Sequence, residues 1–113
     1  MKLNSVIFHS NRLSELRDFY ENKLALTFGS YEKNGIELPD CSETYVNYDI
    51  GGVLLCFEVD NDRSDIGTVV FKVENFSILK IRLEQAGIKI ISGNEFYFKI
   101  KDTEGRGLIF ESI

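Results

Sequence analysis

This 113-residue chain contains an internal repeat, which limits the folds open to it. Laid over itself with a shift of 63 positions, the chain matches Ser5–Phe28 to Thr68–Ile91 without a gap. With a shift of 53 positions, Leu55–Glu58 matches Leu108–Glu111. Serine, leucine and glutamate residues recur at matched positions along the longer match. A repeat of this length predicts two copies of one supersecondary unit.

Each half is predicted to hold one strand, one helix and then three strands. Asn11 and Asn75 are candidate helix N-caps, each followed by apolar residues at helical spacing. Gly51-Gly52 predicts a tight hairpin, and Gly87 a helix C-terminus. In the first half we predict strands at Ser5–His9, Leu26–Glu32, Thr44–Ile50 and Val53–Val59, a helix from Asn11 to Leu24, and a loop at Lys33–Ser42. In the second half we predict strands at Thr68–Val73, Ile88–Ser92, Phe96–Lys101 and Leu108–Ile113, and a helix from Asn75 to Ala86.

This order of elements predicts a single α+β domain over residues 1–113, made of two βαβββ modules at 1–62 and 63–113. Side chains alternate along a strand, so Val6 and Phe8 should pack under a helix while Ile7 and His9 point away from it. The pattern therefore predicts a curved mixed sheet with helices on one face and an open cleft on the other.

Composition and charge exclude several classes of protein. The net charge of −5 disfavours nucleic acid as a partner, and no apolar run approaches the ~18 residues of a membrane span. His9 is the only histidine, which excludes any metal site that takes two histidines from one chain. Cys41 and Cys56 lie fifteen positions apart without a C-x-x-C motif, unlike a secreted disulfide scaffold. We therefore expect a reduced, cytoplasmic protein.

The predicted open face carries residue types suited to a small organic ligand. Imidazole can act as a base near neutral pH, carboxylates can contact a cation, and aromatic rings can hold flat molecules. The candidate ligand-binding residues are His9, Tyr48, Cys56, Glu58, Lys72, Tyr97 and Glu111. Each has a structural alternative: a hydrogen-bonded histidine at a strand end, an inert buried thiol, solvated charges, or tyrosines used in packing.

Three motifs resemble those of the vicinal oxygen chelate superfamily, which includes glyoxalases, bleomycin-resistance proteins and extradiol dioxygenases. Asp18–Leu24, DFYENKL, is similar to the first-helix signature of that family. Leu83–Ile88, LEQAGI, resembles the end of its second helix. Asp102–Gly105, DTEG, followed by Leu108–Glu111, LIFE, resembles its closing turn and last strand, although Thr103 stands where the family usually has proline.

The resemblance also implies four metal-ligand positions, commonly His and Glu, in the first and last strands of each half. Carried over to this chain, those positions hold Ser5, Cys56, Thr68 and Ile109. A hydroxyl, a lone thiol and an alkyl group are poor ligands for the metals of the family, so we expect no metal and no cofactor. A slip of two residues would bring in Glu58 and Glu111, but the spacing of the closing turn argues against it.

The sequence leaves three functions open. The first is a metal-free protein that binds or sequesters a small organic molecule in the cleft, where the negative net charge would favour a cation. The second is a metal-independent enzyme of the lyase or isomerase type, with His9 or Glu58 as base. The third is a pure protein-interaction or assembly module. The resemblance further implies a homodimer.

Overall fold

The computed structural model describes residues 3, 5–27, 31–33, 36–38, 43–62 and 64–113, with backbone alone at 31–33 and 36–38. Within these residues the fold is α+β, as predicted, and the chain forms two compact units, Met1–Asp65 and Ile66–Ile113. The first unit contains β1 (Ser5–Ser10), α1 (Leu13–Arg17), a π-helical segment (Asp18–Lys23) that continues α1, β2 (Tyr31–Lys33), β3 (Ile36–Leu38), β4 (Tyr45–Ile50) and β5 (Val53–Val59). The second contains β6 (Thr68–Val73), α2 (Phe76–Gln85), β7 (Ser92–Gly93), β8 (Tyr97–Lys101) and β9 (Gly107–Ser112).

Each unit has a mixed, unclosed sheet in which the last strand lies beside the first. In the first unit the strand order is β1-β5-β4, with β1 parallel to β5 and β4 antiparallel to it. In the second unit the order is β6-β9-β8-β7, with β6 parallel to β9. A parallel pair needs a crossover connection, and α1 and α2 lie in the two crossovers. Strands β2 and β3 form a separate antiparallel ribbon.

The repeat extends to the register of the strands. Ile7 pairs with Cys56 in the first unit. Val70 pairs with Ile109 in the second unit, and these residues lie 63 and 53 positions further along the chain. The two shifts read from the sequence therefore describe one conserved pairing pattern, and side chains at matched positions occupy matched places in their sheets.

An aromatic cluster forms the core of each unit. In the first unit the Phe57 ring lies 4.9 Å from that of Tyr20 and 6.0 Å from that of Phe8. In the second unit the Phe110 ring, 53 positions further along, lies 5.1 Å from Phe71 and 5.0 Å from Phe98. These clusters cover the helix side of each sheet and leave the opposite side for other residues.

The start of the first helix differs from the sequence prediction. The helix begins at Leu13 with Arg12 at the N-cap position, so Asn11 is not the cap. Strand β1 runs one residue further than predicted, and the Ser10 hydroxyl accepts a hydrogen bond from the Arg12 N–H at 3.1 Å. Asn75 does occupy the N-cap of α2, but its side chain makes no capping hydrogen bond.

Two further predictions in the first unit hold only in part. The predicted strand Leu26–Glu32 does form over Tyr31–Glu32, within β2. The predicted loop Lys33–Ser42 contains β3, which pairs with β2; its Gly35 and Pro39 lie outside the described residues. Leu26 is not in a strand, because its N–H donates to the Tyr20 carbonyl at 2.9 Å and extends the helix end. Residues 28–30 of the same prediction lie outside the described part.

In the second unit the predicted strand Ile88–Ser92 reduces to the short β7, Ser92–Gly93. The glycine predictions hold. Gly51 and Gly52 form the β4–β5 hairpin with φ of 59° and 93°, and Gly87 ends α2 with φ of 81°. No helix in the part of the chain that the structure describes is long and apolar enough to cross a membrane.

A buried ionic network closes the turn between β8 and β9. Oδ1 of Asp102 accepts the backbone N–H groups of Glu104 at 2.9 Å and Arg106 at 3.0 Å. The fully buried Arg106 guanidinium contacts Asp102 Oδ2 at 3.1 Å and Glu104 Oε2 at 2.9 Å. Burial alone would lower the pKa of Arg106, but the bonds and charges of these two carboxylates outweigh it and raise that pKa. The turn motif is therefore structural.

Candidate functional site

Two rows of side chains cross the sheet of the first unit on the side opposite the helices. The side chains of β5 alternate, so Leu55 and Phe57 face the helical side while Cys56 and Glu58 face away from it. The strand register sets the rows, with Glu58 between His9 and Tyr45, and Cys56 between Ile7 and Asn47. We call these six residues, Ile7, His9, Tyr45, Asn47, Cys56 and Glu58, the first-sheet face.

A chain of hydrogen bonds joins three residues of the first-sheet face. The Asn47 Nδ2 amide donates to the Tyr45 hydroxyl at 2.9 Å, and that hydroxyl donates to Cys56 Sγ at 3.6 Å. Asn47 is fully buried, and its Oδ1 has no hydrogen-bond partner among the residues that the structure describes. Asn47 was not among the predicted site residues, although a polar residue between Val46 and Tyr48 in an otherwise apolar stretch indicates a possible functional position.

The Cys56 thiol is held in its neutral form. Its side chain is 3% exposed, and this burial raises the pKa of the thiol. The hydrogen bond from Tyr45 lowers that pKa in part, while the negative charge of Glu58 raises it further. A neutral thiol is a poor nucleophile and a poor metal ligand, so Cys56 contributes shape and a weak hydrogen-bonding group to the face.

This leads to a prediction about thiol reactivity. In a Cys41→Ser background, in which Cys56 is the only thiol, native protein should react with iodoacetamide at least about tenfold more slowly than urea-unfolded protein. The physical reason is the smaller thiolate fraction together with the lack of access. The measurement is adduct mass against time at pH 7.5. Equal rates in the two states would contradict the buried, neutral thiol.

His9 is held by Asp65, which was not among the predicted site residues. Nδ1 of His9 lies 2.8 Å from Asp65 Oδ2, the same oxygen accepts the His9 backbone N–H at 2.9 Å, and the Asp65 N–H donates to the His9 carbonyl at 3.2 Å. Nε2 of His9 lies 3.8 Å from Glu58 Oε2. Asp65 belongs to the connector after β5, and the sequence held no sign of which connector residue would return to β1.

The second unit presents an equivalent set of side chains with a different charge. Tyr97, Glu111 and Lys72 form one row by strand register, and Lys99, Ile109 and Val70 form the next. We call Thr68, Lys72, Tyr97, Lys99, Ile109 and Glu111 the second-sheet face. Lys72 is exposed, whereas Tyr97, Lys99 and Glu111 are half-buried. Three predicted candidates, Lys72, Tyr97 and Glu111, thus lie in one row.

Tyr48 does not lie with the other candidates. Its ring is fully buried on the helix side, 5.8 Å from the Tyr20 ring and 6.4 Å from that of Phe57. Its hydroxyl donates to Glu21 Oε2 at 2.8 Å. Because Tyr48 pairs with Leu55, it has the same facing as the core residues of β5. We therefore correct its prediction as a ligand-binding residue and assign it to the core.

The four positions implied by the family resemblance do not form a suitable metal-ligand set. In the first unit they hold the Ser5 hydroxyl and the protonated Cys56 thiol, and in the second the Thr68 hydroxyl and the alkyl group of Ile109. Across the described ranges, no three His, Cys, Asp or Glu side chains lie close enough together to hold an ion. The chemistry of these residues does not fit a divalent metal.

A surface groove of about 420 Å³ lies elsewhere on the first unit, along α1 and the π-helical segment. Its charged walls are partly neutralised, since Arg17 Nε donates to Glu21 Oε2 at 2.8 Å. Glu21 also accepts the Tyr48 hydroxyl, so this carboxylate anchors the helix to the sheet. Arg17 and Glu21 in the groove wall already have structural partners, and we place no function in the groove.

Comparison with known proteins gives matches in structure alone. No protein-family model and no curated protein matches the chain. A glyoxalase/dioxygenase from Nostoc punctiforme matches over 98% of this chain and 90% of its own, with 15% identity and a TM-score of 0.79. Lactoylglutathione lyase from Agrobacterium tumefaciens matches over 98% and 92%, with 14% identity and a TM-score of 0.74. An integron cassette protein from the Halifax Harbour sewage outfall metagenome matches over 99% and 98%, with 18% identity and a TM-score of 0.75.

Proposed function

We propose that this chain, which has the vicinal oxygen chelate fold, binds a small organic molecule on its first-sheet face without a metal ion. The solved structures that match it share the fold and nearly its full length, which confirms the architecture implied by the sequence motifs. Such low identities carry no activity across to this chain. The function is therefore argued from its own residues.

One observation carries the proposal: Oδ1 of Asn47 is buried and has no hydrogen-bond partner in the described part of the chain. Leaving a buried acceptor unsatisfied costs roughly 1–3 kcal/mol, a cost that folded proteins rarely retain without a reason. The Nδ2 end of the same amide is held by the Tyr45 hydroxyl, so Oδ1 has a defined direction. A ligand with an N–H or O–H donor would satisfy this acceptor, provided that its binding displaces the side chains that exclude solvent from the oxygen.

The charges of the face favour a cationic donor. Glu58 is half-buried in the adjoining row, and a diagonal neighbour across antiparallel strands lies about 7–8 Å away. Asp65 adds a second carboxylate beside His9. An organic amine could therefore donate to Asn47 Oδ1 while its charge is balanced by Glu58, and the net charge of −5 would attract it over longer range.

Native mass spectrometry tests this function directly. The protein is incubated in EDTA with a pool of small organic amines, and in parallel with the corresponding alcohols as the matched neutral pool. We expect amine adducts that survive the chelator, on an assembly that we propose to be a homodimer. Binding that requires a divalent ion, or equal retention of amines and alcohols, would contradict the proposal.

Replacing Asn47 with leucine should separate a binding role from a structural one. The variant loses the hydrogen bond to Tyr45, worth about 1 kcal/mol, but also removes an unsatisfied acceptor that costs roughly 1–3 kcal/mol. We therefore expect unchanged or higher unfolding free energy in urea, together with loss of the amine adducts. Asn61→Leu, at an exposed turn position, is the control. A variant that unfolds more easily and still binds would show that Asn47 is structural.

The His9–Asp65 contact favours a second candidate, a metal-independent enzyme. With its Nδ1 proton held by Asp65, the imidazole would present Nε2 as a proton acceptor at the edge of the first-sheet face. This supplies the orienting partner that a histidine base needs. Turnover of a bound molecule that disappears in His9→Gln, while binding persists, would distinguish the enzyme from a pure binding protein.

A further inference from the structure

We propose that the second-sheet face carries an oxyanion-binding site centred on the Lys99 ammonium and the Thr68 hydroxyl. The ligand class is a carboxylate or phosphate group of a small molecule. The site lies within the second unit and uses no residue of the first-sheet face. It can therefore hold or fail independently of the function proposed above.

The geometry of Gly107 brings the two groups together. A methyl group built on Gly107 would lie 2.9 Å from Lys99 Cε, 3.4 Å from Lys99 Nζ and 3.0 Å from Thr68 Oγ1. The lysine side chain thus crosses β9 above the glycine, and its ammonium and the threonine hydroxyl approach the same point. Thr68 pairs with Gly107 across β6 and β9, so strand register holds the hydroxyl there.

The environment of the Lys99 ammonium favours the binding of an anion. Its side chain is half-buried, and it makes neither an ion pair nor a hydrogen bond with any residue the structure describes. Its neighbour by register on β9 is the apolar Ile109. Glu111 is a diagonal neighbour of Lys99 at about 7–8 Å, a distance too long for an ion pair. An anionic oxygen in direct contact with the ammonium would lower the cost of its partial desolvation and accept a charge-assisted hydrogen bond.

The repeat supports a binding role for this position. Lys99 pairs with Ile109 as Asn47 pairs with Cys56, and Ile109 lies 53 positions after Cys56. The same place in the two sheets thus carries the Asn47 amide oxygen in one unit and the Lys99 ammonium in the other, each without a partner among the residues that the structure describes. The first accepts a hydrogen bond, while the second donates one. In the adjoining row the exposed Lys72 pairs by register with Glu111, so these two charges offset each other and Lys99 supplies the net positive charge of the second-sheet face.

An ammonium beside Thr68 also explains why this unit does not suit a divalent cation. Thr68 is a position at which the family resemblance implies a metal ligand. A fixed positive charge there would repel a metal ion, whereas it would attract carboxylate or phosphate oxygens. The Thr68 hydroxyl can donate to a second oxygen of the same group, which favours a planar or tetrahedral oxyanion over a single halide.

The test is a titration of the full chain, labelled with ¹⁵N, at constant ionic strength in sodium chloride. Inorganic phosphate is added in one series and sodium acetate in another, and the backbone amide shifts of Thr68 and Gly107 are followed. We expect saturable shifts with at least one of the two, and that series identifies the preferred source. Lys99→Met should weaken the binding about tenfold or more. Lys89→Met, an exposed lysine with the same change in net charge, should leave it unchanged.

Gly107→Ala provides a second variant that keeps the charge. The added methyl group meets the far end of the flexible Lys99 side chain and the Thr68 hydroxyl, so the fold should tolerate it while the ammonium is displaced. We expect this variant to lose binding like Lys99→Met. Absence of saturable shifts in the wild type, or equal loss in Lys89→Met, would overturn the proposal. Unaltered binding in a folded Gly107→Ala would also overturn it.

Discussion

Asp102→Ala is expected to lower the free energy of unfolding by about 3–5 kcal/mol, a large part of the roughly 5–15 kcal/mol of a domain of this size. The substitution leaves the fully buried Arg106 guanidinium with one carboxylate, that of Glu104, in place of two. It also removes the acceptor of two backbone N–H groups that hold the turn into β9. Urea unfolding followed by circular dichroism measures the loss.

Two further variants separate the charge from the turn geometry. Asp102→Asn keeps an oxygen that can accept the turn N–H groups, so it should cost less than alanine but still weaken the contact with Arg106. Asp60→Ala is the matched control, because Asp60 Oδ1 accepts the Asp62 N–H at 3.0 Å at an exposed turn without a buried arginine. We expect its cost to stay near 1 kcal/mol or below. Similar losses in Asp60→Ala and Asp102→Ala would contradict the role given to the ionic network.

Phe57→Ala is expected to lower the free energy of unfolding by about 3–5 kcal/mol, because it removes the side chain at the centre of the first aromatic cluster. The Phe57 ring is fully buried and contacts the rings of Phe8, Tyr20 and Tyr48. Its loss removes both apolar burial and these three ring contacts. The measurement is urea unfolding combined with amide hydrogen exchange.

Amide hydrogen exchange should also show which strands lose protection in each variant. In Phe57→Ala, protection should fall most in β4 and β5, whereas Phe110→Ala, the matched substitution in the second unit, should affect β8 and β9 most. Phe57→Leu keeps most of the apolar volume and should cost less than the alanine variant. Equal loss of protection across all the strands in both alanine variants would contradict separate cores for the two units.

The pattern of strands and helices was predictable wherever it rests on local chemistry. The β4–β5 hairpin follows from Gly51 and Gly52, which reach positive φ without a steric cost. The position of Gly87 after α2 has the same basis. The prediction was wrong where longer-range pairing decides: β3 forms because it pairs with β2, and no periodicity within residues 36–38 requires that partner.

Among the site residues, alternation along strands correctly grouped His9, Cys56 and Glu58, and it also grouped Lys72, Tyr97 and Glu111. Tyr48 departs from the prediction because its position in β4 has the parity of Val46, so its side chain faces the core. The same parity argument would have selected Asn47 and Lys99. Strand parity could not identify Asp65, because a connector has no periodicity from which the facing of its side chains could be predicted.

The helix after the first strand of each unit, the facing of most strand residues and the unsuitability of Ser5, Cys56, Thr68 and Ile109 for a metal were all predictable from the sequence. These follow from spacing and from the chemistry of individual side chains. The first unit departs from the predicted βαβββ order, since in the described residues four strands follow its helix in place of three. Which polar groups lack a partner among the described residues, as at Asn47 Oδ1 and the Lys99 ammonium, depends on the tertiary structure. Burial and partnership depend on residues distant in the chain, and these determine the free energy that a ligand could gain at each face.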